Sequence, residues 1–595
     1  MKRALATVVL GLLSITACKA AGSPAVRAAV AESLPASYDE LAARLDATVP
    51  ELLEQSGASS ISIAVVDGQR LVYRRSFGVA DKEHARPATP DTRYEIGSIS
   101  KPFVGLVVMQ MVEAGALELD APITDYLPEF SIQSRFEGEA VPTLRTLLTH
   151  RAGLPSDLST VLDAPDYEIA QLPEILRREW LTHAPGQAII YSSVGIDLAA
   201  LVAQRVSGRE YSELVEGEVL EPLGMHTASA RGSGDDPTLE ARGHDEVGNA
   251  VPDINFSPCG SIRASATEMA QLVKWVNGRG RVDGHALLSR EGVEEMMRVQ
   301  NADAPLDLGA QVGLSWFINK GSEATGDVLE HEGATAGFVS QLSVLPKHGL
   351  GVVVLGNDRK RLGYELADNA LMLALHAKTG LDLRVELAAT SPVPPPPNVA
   401  LTAEQLDRLA QTVYSDGNNV FVFEHRRGAL RADLRGRDRL SLTPRADGTF
   451  EMKGYLFGVS TGALMPGYRA SFETLDGKQV IVARGSRGAF VMAARFVPGQ
   501  PGRAWRERVG TYRPSEPDKS AIEEIRVSIE DGALFAEADL QGQDEPVHFV
   551  FEVYSDEVAS IAGHGRRSGA ALVAQAREGK TILRSQGLEF VSVDR

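Results

Sequence analysis

Cysteine is nearly absent. Two residues, Cys18 and Cys259, in a chain of 595 exclude a disulfide-stapled scaffold and any all-cysteine zinc site. Positive charge is also in short supply. Against 79 Asp and Glu stand 60 Lys and Arg, a net charge of −19, and a general nucleic-acid binder needs a basic face to meet phosphate. Past the N-terminus no stretch reaches the ~18 uncharged apolar residues of a membrane span.

What remains is ordinary for a globular protein: 44% hydrophobic and 23% charged residues. At roughly 150 residues per domain the length suggests about four domains. The acidity is uneven. Residues 401–595 hold 27 acidic and 26 basic residues, whereas residues 1–400 hold 52 and 34. That contrast suggests separate modules, and the acidity itself speaks first to solubility.

The N-terminus reads as a targeting segment. Lys2 and Arg3 precede an apolar run from Ala4 to Ala17, too short to span a bilayer but suited to a signal-peptide core. The run ends Ile15-Thr16-Ala17-Cys18, which resembles a bacterial lipobox. The resemblance implies a signal peptide over 1–17 and a lipidated Cys18, with residues 18–36 as a tether. The alternative is cleavage near Ala20 or Ala21 and a freely soluble exported protein. Either way the mature chain works outside the cytoplasm, in the periplasm or cell envelope.

Ser62–Val66 and Arg70–Phe77 flank Asp67-Gly68, a hairpin signal. The run Ser391-Pro-Val-Pro-Pro-Pro-Pro-Asn398 fits neither helix nor central strand, so 391–400 reads as an extended linker. A chain ending near Ser391 is therefore expected to fold and react by itself. Beyond it, 401–500 and 501–595 look related. Gly-Ala-Leu recurs at Gly428 and Gly532, a tyrosine precedes each (Tyr414, Tyr512), and a hinge fits Pro498–Gly502. Frequent turn signals predict two small antiparallel β-barrels or sandwiches.

The chemistry lies upstream, in 37–390. In Tyr94-Glu-Ile-Gly-Ser-Ile-Ser-Lys101, Gly97 breaks the chain and a buried helix is expected from Phe103 to Val112. Ser98 and Lys101, three apart, share one helical face. A serine hydroxyl is a weak nucleophile until a base takes its proton, and a desolvated lysine that has lost its own proton can serve. Ser-x-x-Lys alone is common by chance. Tyr191-Ser-Ser193 precedes a helical stretch, Val194–Val206, and the tyrosine can relay a proton. His331-Glu-Gly333-Ala334 precedes strand-like Phe338–Leu345 and Val352–Leu355, and the glycine would let a substrate lie along a strand edge.

In this order the three motifs resemble the Ser-x-x-Lys, Tyr-x-Asn and Lys/His-x-Gly signatures of the class C serine β-lactamases. Their relatives include penicillin-binding carboxypeptidases, D-aminopeptidases and family VIII-type esterases. Leu147-Leu-Thr-His-Arg-Ala-Gly153, Pro222-Leu-Gly-Met225 and Gly260-Ser-Ile-Arg-Ala264 look like the family too. The resemblance covers about residues 40–385. It implies an α+β fold: a helical lobe beside an antiparallel sheet flanked by helices, followed by two small antiparallel β-barrel domains. It implies Ser98 as nucleophile, Lys101 and Tyr191 as the general-base pair, and the N–H groups of Ser98 and Ala334 as oxyanion hole. Ser193, His331 and Gly333 would bind substrate. The tail resembles the lipocalin-like domains of some D-aminopeptidase-type members.

Two positions depart from the β-lactamase pattern. Ser193 stands where the family usually has Asn, and a hydroxyl offers one donor where an amide offers two. His331 stands where β-lactamases carry Lys, and an ordinary histidine is mostly neutral at pH 7. Both changes weaken recognition of a substrate carboxylate and favour a small ester, amide or peptide substrate without one. A true β-lactamase or D-Ala carboxypeptidase is the alternative. A catalytically silent cell-envelope binding protein is the rival from another class, and retention of Ser98, Lys101 and Tyr191 together argues against it.

Three matches are decoys. Lys378-Thr-Gly380 closes a helix-like run, Leu366–Ala377, with Gly380 as its cap. Gly458-Val-Ser-Thr-Gly462 lies in the β-rich tail, without the helix a nucleophile elbow needs. Gly579-Lys-Thr581 lacks the upstream glycine of a phosphate loop, since position 574 is Ala. His331-Glu332 is not followed by the second histidine of a zinc helix, so neither metal nor other cofactor is implied.

Overall fold

The structure, a computed structural model, describes residues 34–381, 397 and 399–593 apart from short internal stretches. Those stretches are 137, 139–140, 159–166, 233–235, 246–247, 252–256, 361, 411, 417–419, 427, 435–436, 457–458, 464–467, 486–487, 498, 518–519, 531, 542–545 and 565–567. The signal segment, Cys18 and most of the proline run lie outside the described residues.

Helix α1 (Tyr38–Ser56) starts at Ser37, whose Oγ accepts from the Glu40 N–H at 3.2 Å, and stops at Gly57, where φ is 66°. Leu41, Leu45, Val49, Leu52 and Leu53 form its buried stripe. Strands β1 (Ser60–Asp67) and β2 (Arg70–Asp81) then form the expected hairpin, turning through Gly68 at φ 60°. The Ser-x-x-Lys stretch opens α2 (Ser100–Glu113), and the Tyr191 motif opens α3 (Ser193–Ser207). Helix α4 (Ala266–Asn277) carries a capping box in which Ser265 and Glu268 satisfy each other's backbone N–H groups. Strands β3 (Phe317–Asn319), β4 (Val328–Ala334), β5 (Val339–Leu345) and β6 (Leu350–Gly356) precede α5 (Leu362–Thr379).

The strands form one antiparallel sheet in the order Arg86–Pro87, β2, β1, β6, β5, β4, β3, Gln311–Val312. Its centre reads as near-continuous apolar runs because both faces are covered. Ile61, Ile63, Val65, Val352 and Val354 pack against α1 and α5. Ala64, Val66, Val353 and Leu355 point the other way, into the core shared with α2, α3 and α4. Ten consecutive residues of α2, Ser100–Met109, are buried, so this helix is the axis of the helical lobe.

Two closed eight-stranded antiparallel barrels follow, over 413–496 and 510–592. In the first, Val459–Ala463 hangs outside the ring, paired to Phe450–Leu456. The sequence echo marks equivalent places. Tyr414 and Tyr512 are buried on the opening strands, and Gly428 (φ 76°) and Gly532 (φ 79°) turn the hairpins that follow. Aromatic and aliphatic side chains fill the interiors, with Phe423, Phe450 and Phe472 in ring contact in the first. Nothing beyond closed antiparallel barrels supports the lipocalin-like label.

The decoys fall as read. Gly380, at φ 75°, follows α5, and Lys378 is held by Asp67 and, at 2.6 Å, by the His348 carbonyl. Val459–Ala463 is a β-strand paired to the first barrel. The modules, however, are not independent. Arg135 of the helical lobe donates to the Gly569 carbonyl of the second barrel at 3.1 Å, and Val480, Val482 and Ala494 of the first pack on Ala188 and Leu306. The expectation that the proline run isolates the hydrolase domain overlooked this packing, which joins residues hundreds apart in sequence.

Candidate active site

Ser98 sits in a 3₁₀ turn, Gly97–Ile99, that runs directly into α2. One turn on, the Lys101 ammonium donates to Ser98 Oγ at 3.0 Å and to the Cys259 carbonyl at 3.1 Å. The same Nζ lies 4.9 Å from the centre of the Tyr191 ring. Ser98, Lys101 and Tyr191 therefore meet at one point.

The surroundings of Lys101 act on its pKa in opposite directions. Burial does pull its pKa down, but Tyr191, Cys259 and Asp197 around it outweigh burial and leave it above the ordinary lysine value.

Gly333 and Gly97 are there for close approach. A Cβ on Gly333 would stand 2.0 Å from the Ile96 carbonyl oxygen and 2.1 Å from Ser340 Oγ. One on Gly97, at φ 52°, would stand 2.9 Å from the Ala334 nitrogen. Strand β4 thus lies directly on the turn that bears Ser98. The glycine at 333 makes room for the protein's own chain, where the sequence suggested room for a substrate. Tyr364 donates to the Gly333 carbonyl at 3.0 Å. In a trans peptide the next N–H points the opposite way, so the Ala334 N–H faces the Ser98 turn.

His331 is buried on β4, near the Tyr191 ring (6.5 Å between centres) and the Phe317 ring (5.5 Å). Burial, with the nearby Lys101 charge, lowers its pKa to about 3. Its Nδ1–H donates to the Glu332 carbonyl at 2.7 Å, so in the neutral ring Nε2 carries a lone pair, buried and without a partner among the described residues. Ser193 is buried at the start of α3, its N–H donating to the Ser156 carbonyl at 2.8 Å. Ser192 is the cap: its Oγ accepts from the Gly195 N–H at 3.0 Å.

Two supporting residues escaped the sequence reading. Asp197, one helical turn past Ser193, is buried; its carboxylate accepts from Ser257 Oγ at 2.6 Å and from the Cys259 N–H at 2.8 Å. It holds the N–H of Cys259, the residue whose carbonyl accepts from Lys101. Burial pushes its pKa up to about 6, against those hydrogen bonds and the Lys101 charge. His150, quoted only within an accessory motif, has φ 59°; its ring lies 4.4 Å from that of Tyr191, and its Nδ1 accepts from the Ser192 N–H at 3.2 Å. An apolar-helix aspartate and a loop histidine carry no sequence signal of this kind without the fold.

A helical lobe against an antiparallel sheet, with serine, lysine and tyrosine meeting between them, defines a β-lactamase/transpeptidase-like protein. The chain belongs to the Beta-lactamase family, whose match runs over residues 45–377, more than half its length. It is similar to the esterase EstB of Burkholderia gladioli, 36% identical over 199 residues, 31% of this chain and 50% of that one. It is also similar to the protein Flp of Staphylococcus aureus strain N315, 24% identical over 324 residues, 53% of this chain and 62% of that one. The chain thus spans less than two thirds of the length of these relatives. Among solved structures, that of SurE has a TM-score of 0.55 at 22% identity, covering 79% of this chain and all of that one, a likeness of fold.

Proposed function

We propose that this protein is a serine hydrolase that works through an acyl-enzyme on Ser98 and prefers a small ester or amide lacking a carboxylate beside the scissile bond. The observation that carries this reading is the meeting of Ser98 Oγ, Lys101 Nζ and the Tyr191 side chain. Lys101 and Tyr191 act as the general-base pair: the Tyr191 oxygen receives the Ser98 proton as its own phenol proton passes to Lys101 in its neutral form. Ser98 Oγ attacks the carbonyl carbon, and the developing oxyanion is received by the N–H groups of Ser98 and Ala334. The relay then gives the proton to the leaving alkoxide or amine, and water repeats the sequence to free the acid.

The preference rests on His331. A neutral ring presenting a lone pair offers a carboxylate no attraction, whereas an ammonium there would. Esterase EstB as a relative is consistent with this choice. A fluorophosphonate probe tests the reading. An adduct on Ser98 is expected, absent in Ser98→Ala and slowed by several orders of magnitude in Lys101→Ala and Tyr191→Phe. Normal labelling of Ser98→Ala would move the nucleophile elsewhere, and no labelling at all would favour a silent binding protein.

We also propose export and anchoring through a lipid on Cys18, supported by Lys2, Arg3, the apolar run to Ala17 and the lipobox-like end. Cys18→Ser should move the protein from membranes to the soluble extracytoplasmic fraction; unchanged membrane association would refute the anchor.

A further inference from the structure

Residues 178–190 form the only stretch of chain leading into Tyr191, and both barrels grip it. At its start, Arg584 of the second barrel donates to the Arg178 carbonyl at 2.8 Å, and the Gly587 N–H donates to the buried Glu179 carboxylate at 3.1 Å. In its middle the second barrel lies backbone on backbone. A Cβ on Gly569 would stand 1.9 Å from the Thr182 carbonyl oxygen. Arg135 ties this place together, donating to the carbonyls of Leu181 and Thr182, each at 2.8 Å, as well as to that of Gly569.

At the end nearest Tyr191 the first barrel takes over. Val480, Val482 and Ala494 bury Ala188 and Leu306 in one apolar cluster. The residue after Leu306, Asp307, accepts from the Ile189 N–H at 2.8 Å, so the barrel holds Ile189 through this turn as well as Ala188 directly. On the opposite side the segment is fixed to the loop 150–153 by the Thr182 N–H to Gly153, Gly186 N–H to Arg151 and Ile190 N–H to His150 carbonyl bonds (2.8, 2.7 and 2.9 Å). The segment is therefore clamped between the loop 150–153 and the tail, and its last residue precedes the relay tyrosine.

We propose that the two C-terminal barrels are positioning domains for Tyr191: they hold segment 178–190 so that the tyrosine oxygen meets Lys101 and Ser98. The inference rests on the reading of Tyr191 as the proton relay. A relay is sensitive to placement, and a displacement of about 1 Å can cost about a hundredfold in rate. The barrels need no contact with substrate to control turnover, and their filled interiors leave this docking face as their contribution to the site.

The test is a double-mutant cycle on the full chain, read as the rate of Ser98 labelling by a fluorophosphonate. Val482→Asp puts a charge into the cluster under Ala188, and Arg135→Met removes three carbonyl contacts; either suffices if the other does not fold. Each is expected to slow labelling at least tenfold in the wild-type background. In a Tyr191→Phe background each should change the rate less than twofold, because a relay that is gone cannot be misplaced. Slowing of equal size in both backgrounds, or none in either, overturns the inference while leaving the relay intact. Wild-type labelling by Tyr191→Phe alone would instead remove the relay and this inference with it.

Discussion

Gly333 and Ile96 are in backbone contact: a side-chain carbon on Gly333 would stand 2.0 Å from the Ile96 carbonyl oxygen. Because Ile96 is two residues before Ser98, this contact sets the distance between the nucleophile and the Ala334 N–H. Gly333→Ala is expected to push β4 off the Ser98 turn and lower kcat/KM by about a hundredfold or more. Gly380→Ala, at the look-alike Lys-Thr-Gly, meets open space and bears only the strain of its positive φ, ~1–2 kcal/mol in stability. Steady-state kinetics beside urea unfolding separate the two; equal activity in both variants would refute the role of the contact.

The proposed substrate choice rests on the buried His331, whose pKa burial lowers to about 3. Short esters or D-aminoacyl amides should be turned over far better than penicillins or peptides ending in a free D-Ala. His331→Lys should shift the kcat/KM ratio toward carboxylate-bearing substrates by about tenfold, or about 1.4 kcal/mol. Penicillins hydrolysed by the wild type as efficiently as matched esters would sink the argument.

Asp197→Asn keeps the size of the side chain and removes its charge. The aspartate raises the Lys101 pKa and holds the Cys259 peptide, so the variant should lose about ten- to a hundredfold in kcat. KM should change little, because Asp197 is buried behind Lys101. The limb of the pH–rate profile that follows Lys101 should move to lower pH, since the lysine loses a stabilising anion. A limb that stays in place would make Asp197 a packing residue only.

Acid should weaken the fold before any carboxylate-driven unfolding. Burial holds His183 and His331 near pKa 3 and His564 near 4, against an ordinary 6.5 in the unfolded chain. Between those values the unfolded state binds more protons, so stability is full above about pH 6.5 and falls as pH drops toward 3. Asp197, raised to about 6, contributes a smaller opposite slope. Urea midpoints at pH 7.5 and pH 4.5 measure the balance, and a higher midpoint at pH 4.5 would contradict it. His183→Asn should flatten the dependence if the variant folds.

The chemistry was legible in the sequence wherever it depends on near neighbours. Three-residue spacing put Ser98 and Lys101 on one turn, Asp67-Gly68 marked the first hairpin, and Gly380 was readable as a cap. Tandem barrels were legible too, because Tyr414 and Tyr512, with Gly428 and Gly532, repeat at matching places. Asp197 was not: an aspartate inside an apolar helix reveals its role only when the loop at Cys259, 62 positions away, folds over it.

By itself the sequence determined the family motifs and that β-barrels follow them, because turn chemistry, strand alternation and motif order are local. Only the tertiary structure decided how those groups behave. Burial lowers the Lys101 pKa while Tyr191, Cys259 and Asp197 raise it, and burial beside Lys101 lowers that of His331. The tail packs on the hydrolase domain, where Gly569 meets Thr182 and Val482 lies in one apolar cluster with Ala188. Charge state and docking are sums over neighbours far apart in the chain, and no local pattern encodes such a sum.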